Sequence, residues 1–248
     1  MDKEHIYWIE VTGHRGAADL APENTLAGFR LASALGCHAV ELDVQLTADG
    51  RLAVIHDARL DRTTNGSGPV SSRTLAELKL LDAGKGEQIP SLEEVLDLLR
   101  DTGMTLQIEL KGEGTEREAP RVVAKAGMAR RVRFTSSAHE KVFEAKKSLP
   151  EAETGLLNGS APADPLRLLE SYRADCLHVR HEAIDRRLVE LVHGAGKKII
   201  ASGRIVEIAP IDRLIDLGVD IIGSDRPDMV IERLKAASRY RGSRGMSP

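Results

Sequence analysis

The sequence predicts an α/β chain folded as a single (β/α)8 TIM barrel with a short excursion after its second strand. Three observations lead there. Short β-prone apolar runs alternate with longer amphipathic runs along the whole chain, which argues parallel strands joined by helical crossovers. There are eight such units. The length, 248 residues, matches one barrel of about 250 residues.

The expected barrel strands are Tyr7–Thr12, His38–Val44, Thr105–Leu110, Arg131–Ser136, Glu153–Asn158, Cys176–Arg180, Lys198–Ser202 and Asp220–Ser224. They are near-continuous in Val, Ile and Leu, as strands covered on both faces should be. The helices between them have legible ends. A helix over Thr25–Leu35 follows Asn24 as N-cap and stops at Gly36. Ser91 with Glu94 forms a capping box opening Leu92–Asp101, and Gly103 follows. Asp185–His193 ends at Gly194, and Glu207–Leu217 ends at Gly218.

One segment departs from the alternation. Asp49-Gly50 between two β-prone runs is a hairpin signal, so Leu52–His56 reads as the returning arm of an excursion and not as a ninth barrel strand. Turn-rich sequence from Asp57 to Lys85 follows, with a helix near Leu75–Leu80. The barrel is expected over residues 1–238. Residues 239–248, rich in Arg, Gly and Ser, are expected to form a flexible tail, Tyr240 aside.

Composition narrows the function classes. The net charge of −3 gives no electrostatic reason to expect nucleic acid or an anionic membrane as partner, and 3% aromatic residues argue against a stacking platform. Cys37 and Cys176 stand far apart and fit neither a zinc signature nor a disulfide framework; they read as small buried hydrophobes in a reducing compartment. Residues 1–10 mix charges of both signs, so no secretory leader is expected, and no apolar run is long enough to span a bilayer. The expectation is a cytoplasmic protein. Nothing in the sequence marks an oligomer interface.

In such a barrel, reactive groups gather where strands end. The first strand ends in Gly13-His14-Arg15-Gly16, the second in Glu41-Leu42-Asp43, the excursion in His56-Asp57 and the third in Glu109-Leu110-Lys111. Glu41 and Asp43, two apart, project to one face of a strand, as do Glu109 and Lys111. An acidic pair at that spacing is in most proteins a solvated edge. Here the carboxylates are embedded in apolar strands, and three converging carboxylates repel unless a cation neutralises them. Glu41, Asp43 and Glu109 are therefore candidate ligands of a divalent cation, and an all-oxygen set suits Mg²⁺ or Ca²⁺ rather than zinc.

His14 and His56 are candidate proton carriers, because imidazole titrates near neutral pH. A lone histidine is more often structural; a pair beside a carboxylate cluster shifts that balance. His5, His38, His139, His178, His181 and His193 lack such neighbours and read as structural, His178 least firmly because it sits in a strand. Arg15 and Lys111 either balance the carboxylates or bind a phosphate. Acids, bases, a metal and anion-binding cations together describe phosphoryl transfer.

These residues lie in a longer ordered set: His14-Arg15-Gly16, Pro22-Glu23-Asn24-Thr25, Glu41-Leu42-Asp43-Val44, Thr47 with Asp49-Gly50, His56-Asp57, Leu60-Asp61-Arg62-Thr63-Thr64-Asn65-Gly66, Ile108-Glu109-Leu110-Lys111 and Ser224-Asp225-Arg226-Pro227. The set resembles the glycerophosphodiester phosphodiesterases, over roughly residues 11–232 and most specifically up to Gly68. The resemblance implies a barrel of the phosphatidylinositol-phospholipase type. It implies a Mg²⁺ or Ca²⁺ site at Glu41, Asp43 and Glu109, an acid–base pair at His14 and His56, and Arg15 and Lys111 near the phosphate. The implied reaction hydrolyses a glycerophosphodiester to glycerol 3-phosphate and an alcohol. Either histidine can act first.

Two departures concern the substrate. The family usually carries an aromatic residue where Ser137 follows Thr135-Ser136, and Trp or Phe where Ser202 stands in the seventh strand. Small polar residues there imply a wider, wetter wall near the glycerol or the leaving alcohol. Two other readings share the site: a phospholipase D-like enzyme that releases a cyclic phosphate from lysophospholipids, and a non-catalytic barrel that binds a phosphoester. The absence of an apolar docking loop counts against the first, and the complete set of site residues against the second.

Overall fold

The alternation of apolar and amphipathic runs resolves, in a computed structural model that describes residues 8–242, into strands β1 (Glu10–Gly13), β2 (Ala39–Leu46), β3 (Leu52–Val54), β4 (Thr105–Leu110), β5 (Val132–Ser136), β6 (Glu153–Asn158), β7 (Cys176–Arg180), β8 (Lys198–Ser202) and β9 (Ile221–Ser224). Helices α1 (Leu26–Leu35), α2 (Leu75–Leu78), α3 (Leu92–Leu99), α4 (Thr115–Ala126), α5 (His139–Ser148), α6 (Pro165–Ser171), α7 (Arg186–Gly194), α8 (Ile208–Leu217) and α9 (Pro227–Ala236) lie between and after them. β1 pairs in parallel with both β9 and β2, which closes eight parallel strands into a barrel; β3 alone is antiparallel, paired with the end of β2. The structure is the TIM barrel the sequence predicts, with its excursion after strand two.

Boundaries differ where tertiary pairing decides them. β2 runs two residues past Val44 because β3 folds back on it, Val44 opposite Val54 and Leu46 opposite Leu52. β1 begins at Glu10; Tyr7 and His5 lie outside the described residues, as do residues 243–248 of the expected tail. Nearer the barrel the tail segment is docked: the Tyr240 hydroxyl donates to the Gly36 carbonyl at 2.7 Å and its ring meets His38 edge-on.

Helix α1 is capped by Thr25, whose side chain accepts from the Gly28 amide, and not by Asn24. Such a cap is worth ~1 kcal/mol. The displaced Asn24 has a role in the site. α3 opens with the predicted capping box of Ser91 and Glu94.

The main core fills the space between strands and helices, with Phe29, Leu42, Leu96, Ile108, Phe134, Val179 and Leu214 fully enclosed. The excursion has a small core of its own, Ala53, Ile55, Leu60, Val70, Leu75, Leu78, Ala83 and Ile89. That cluster makes residues 52–89 a packed platform at the barrel rim, and His56 stands on it. Inside the barrel, the layer at the N-terminal ends of the strands is charged. Arg133, 1% exposed, pairs with Glu153 at 2.6 Å, and Lys198 reaches the same carboxylate at 2.8 Å.

Candidate active site

The C-terminal ends of β1, β2 and β4 and the segment just after β3 bring all seven candidate residues together. Glu41 and Asp43 point inward from β2, and Glu109 from β4, in register with Asp43. All three carboxylates are buried, and each offers an oxygen that lies within 4.8 Å of the others. Burial first, and then the charge of Asp43, push the pKa values of Glu41 and Glu109 upward.

Whether the trio suits a cation is decided by its unmet acceptors. Asp43 Oδ1 is buried with no hydrogen-bond donor among the described residues, Lys111 Nζ standing 3.6 Å away. A buried carboxylate oxygen left without a donor is costly, and a hard, oxygen-seeking cation meets that demand. The donor set fits a divalent metal.

Asp43 is further held by Asn24. The Asn24 amide donates to Asp43 Oδ2 at 2.9 Å while its carbonyl accepts from the Asp43 backbone N–H at 3.2 Å. Asn24 adopts φ +56° to make this two-point contact, a conformation asparagine tolerates better than most residues. Arg15 also lies in the left-handed region, at φ +48°. Its backbone N–H donates to Glu41 Oε2 at 2.9 Å and its carbonyl accepts from Asn24 N at 3.0 Å. The turn leaves no room for larger residues: a Cβ on Gly13 would stand 2.0 Å from the Gly16 carbonyl oxygen. Strain of this kind persists only where surroundings enforce it.

The two imidazoles are oriented alike. His14 Nδ1 is 2.6 Å from Asp225 Oδ1, and His56 Nδ1 is 2.6 Å from Asp57 Oδ1. A carboxylate on Nδ1 fixes the tautomer and leaves Nε2 for chemistry. Burial opposes the charging of His14, but the Asp225 hydrogen bond and the charges of Glu41 and Asp225 outweigh it and raise its pKa to about 9. Hydrogen bonds from Arg62, and then from His56, hold the Asp57 carboxyl below its usual range despite partial burial.

Arg62 ties the two halves of the site together. It donates to Asp57 at 2.7 and 3.0 Å and to Glu23 at 2.8 Å twice, and Glu23 in turn accepts from Arg15 at 2.9 Å. Lys111 Nζ lies 2.7 Å from Glu109 Oε1. His14, Arg15, Glu41, His56, Glu109 and Lys111 line one cavity of about 410 Å³ at the barrel mouth, which Ser137 and Ser202 also line. A larger groove of about 620 Å³ runs outside α3 and α4, but its charges are matched locally, Arg51 with Glu93, Arg100 with Asp97 and Arg121 with Glu118, and no reactive constellation faces it.

The sequence points to the seven residues that meet here but not to Asp225, Asp57, Glu23 or Arg62 as their partners, and it casts Asn24 only as a helix cap, although all five stand inside the motifs. His178, set aside as structural, also lines the cavity. The other described histidines bond elsewhere: His38 to Val11 N, His139 to the Leu157 carbonyl, His181 to Glu182 and His193 to Asp220.

A barrel whose mouth holds a carboxylate trio, two oriented imidazoles and two phosphate-compatible cations defines the class of metal-dependent phosphodiesterases. Residues 14–229 match the glycerophosphoryl diester phosphodiesterase family, and the chain belongs to it. It is 36% identical over 237 residues to a glycerophosphodiester phosphodiesterase of Caldanaerobacter subterraneus subsp. tengcongensis, covering 91% of this chain and 97% of that one. Its fold is similar to that of an Oleispira antarctica phosphodiesterase solved in complex with the product sn-glycerol-3-phosphate, with TM-score 0.85, 32% identity, and 92% and 97% of the two chains covered. It is also similar to a glycerophosphodiester phosphodiesterase from Agrobacterium tumefaciens, with TM-score 0.82, 32% identity, and 90% and 98% of the two chains covered.

Proposed function

We propose that this chain hydrolyses glycerophosphodiesters to glycerol 3-phosphate and an alcohol, as its family membership supports. The observation that carries the reading is the trio Glu41, Asp43 and Glu109 within 4.8 Å, flanked by two imidazoles each held at Nδ1 by a carboxylate at 2.6 Å.

Glu41, Asp43 and Glu109 would hold Mg²⁺ or Ca²⁺, which when bound supplies charge neutralisation at the phosphoryl oxygens. Arg15, anchored by Glu23 and Asp43, and Lys111 contribute further positive charge to the phosphate. One of His14 and His56 accepts the proton of the substrate's own central hydroxyl at Nε2 as that oxygen bonds to phosphorus. The other gives its proton to the departing alcohol oxygen as the bond from phosphorus to that oxygen breaks. Water then opens the cyclic phosphate with the two roles exchanged. Asp225 and Asp57 keep both Nε2 atoms available throughout. Two buried free thiols, Cys37 and Cys176, support a cytoplasmic setting.

The test is a metal-supplemented assay on glycerophosphocholine, glycerophosphoethanolamine and glycerophosphoglycerol, with a chelator control and products followed by phosphorus NMR. Glycerol phosphate should accumulate and chelation should stop it. A cyclic phosphate as the final product would favour the phospholipase D-like reading, and no turnover of any diester would favour a non-catalytic barrel. Replacing either His14 or His56 by Ala should cost at least ~100-fold in kcat.

A further inference from the structure

Below the acidic trio the cavity continues down into the barrel. Its floor is formed by Thr12 of β1, Gln107 of β4 and His178 of β7, all buried. Gln107 stands beside Glu41 in the parallel register and two residues below Glu109; Thr12 is two residues below His14. Thr12 and Gln107 thus stand one inward position below His14 and Glu109 on their own strands, with Gln107 alongside Glu41. The His178 ring is seated against Gly155: a Cβ there would lie 2.5 Å from Nε2. The ring occupies the space that any side chain at 155 would need.

Among the described residues, neither ring nitrogen of His178 has a hydrogen-bond partner, although the residue is 1% exposed. The same holds for Thr12 Oγ1, Gln107 Oε1 and, next to Gly155, Thr135 Oγ1. Buried polar groups are nearly always paired, and leaving them unpaired is costly. Valine or leucine would fill this space without that cost, so packing alone does not account for the unpaired polar side chains of Thr12, Gln107 and His178 lining the cavity. Burial, with the nearby positive charge of Arg133, pushes the His178 pKa down to about 3. The ring is neutral at physiological pH and presents one donor and one acceptor.

We propose that this floor is the subsite for the terminal hydroxyl of the substrate's glycerol half, with His178 as its specificity-determining residue. A hydroxyl both donates and accepts, which is what the neutral His178 imidazole, the Thr12 hydroxyl and the Gln107 amide carbonyl require. The glycerol half is assigned here because the floor is closed and of fixed size, suited to the constant part of the substrate. The opposite end of the cavity opens past Ser137, Asn158, Arg180 and Arg204, suited to an alcohol that varies. The assignment rests on the phosphodiester being held at the acidic trio.

The experiment compares two substrates on the Mg²⁺-loaded protein: the p-nitrophenyl ester of glycerol phosphate, and hydroxypropyl p-nitrophenyl phosphate. The second keeps the central hydroxyl and carries a methyl where glycerol carries its terminal hydroxymethyl. In the wild-type protein kcat/KM should favour the glycerol ester by ~10–100-fold, because the analogue leaves the buried polar groups unmatched. His178→Phe should bring that ratio close to one, and His178→Gln, which retains a donor and an acceptor, should keep most of it. Gln107→Leu and Thr12→Val read the same ratio on other strands should His178→Phe fail to fold. A wild-type ratio near one overturns the subsite with no variant needed, as does a wild-type ratio retained in His178→Phe. Failure of the wild-type protein to cleave the glycerol ester at all would instead overturn the phosphodiesterase reading beneath it.

Discussion

His14 and Asp225 lie 211 residues apart in sequence and 2.6 Å apart in space, Nδ1 against Oδ1. The contact exists because β9 closes the barrel against β1, with Gly13 in register with Ser224. Asp225 both fixes the imidazole tautomer and raises the His14 pKa. Asp225→Asn should therefore lower kcat by ~10–100-fold, the usual scale for losing an orienting partner, and move the His14 ionisation to lower pH. The pH–rate profile and histidine NMR titration both read it. A profile superimposable on the wild type would show that Asp225 has no such role.

The charge network around Arg62 yields a second prediction. Its guanidinium grips Asp57 and Glu23 with two short contacts each, so one side chain steadies both the His56 platform and the anchor of Arg15. Lysine retains the charge but not the planar fork. Arg62→Lys should lower kcat by ~10-fold while leaving the thermal midpoint within a few degrees of wild type, since a half-exposed ion pair adds little to stability. Equal activity in the two proteins would assign Arg62 to the surface rather than to the site.

Metal uptake should be coupled to proton release. In the metal-free site, burial and the charge of Asp43 raise the pKa values of Glu41 and Glu109 above the usual 4.5. A carboxyl with a raised folded pKa contributes stability that is full below 4.5 and is lost as pH climbs through the raised value. The metal-free protein should thus weaken as pH rises out of the acid range, and Mg²⁺ should restore it. Affinity should rise with pH over the same interval, because ligands bind deprotonated. Calorimetry in buffers of differing ionisation enthalpy counts the protons. Release indistinguishable from zero in wild type, or unaltered in Glu41→Gln, would defeat this account.

How much of this was legible in the sequence depends on the range of the interaction. Eight strands and the excursion follow from local pattern, because burial on both faces dictates apolar runs and Asp49-Gly50 dictates a reversal. The trio follows from i, i+2 spacing at strand ends. Asn24 was misplaced as a helix cap because Asn and Thr both suit that position; a bond to Asp43, nineteen residues on, decides that Thr25 caps and Asn24 turns inward. Asp225 is visible in its motif without a partner, since only barrel closure brings His14 to it. His178 looked structural because a strand histidine usually is. Its seat over Gly155 depends on the β6–β7 pairing, where Gly155 stands opposite Cys176.

The charged layer at the far end of the barrel makes the last prediction, about stability alone. Arg133 is 1% exposed and its charge is met chiefly by Glu153, which Lys198 also approaches. Burial works against the ionised Glu153, yet the Arg133 charge and the Lys198 hydrogen bond lower its pKa to about 2. A depressed carboxylate contributes stability that is complete above its unfolded value of 4.5 and is lost as pH falls through about 2. Glu153→Gln keeps the shape and leaves Arg133 buried without its main counterion, which should cost ~3–5 kcal/mol near neutral pH. The deficit should persist unchanged down to about pH 5 and then narrow as Glu153 of the unfolded wild-type chain begins to protonate while the folded carboxylate stays ionised down to about 2. Urea midpoints of the two proteins, compared at about pH 6 and about pH 3, measure it. A deficit of the same size at both pH values would mean that shape, not charge, is what Glu153 contributes to the barrel floor.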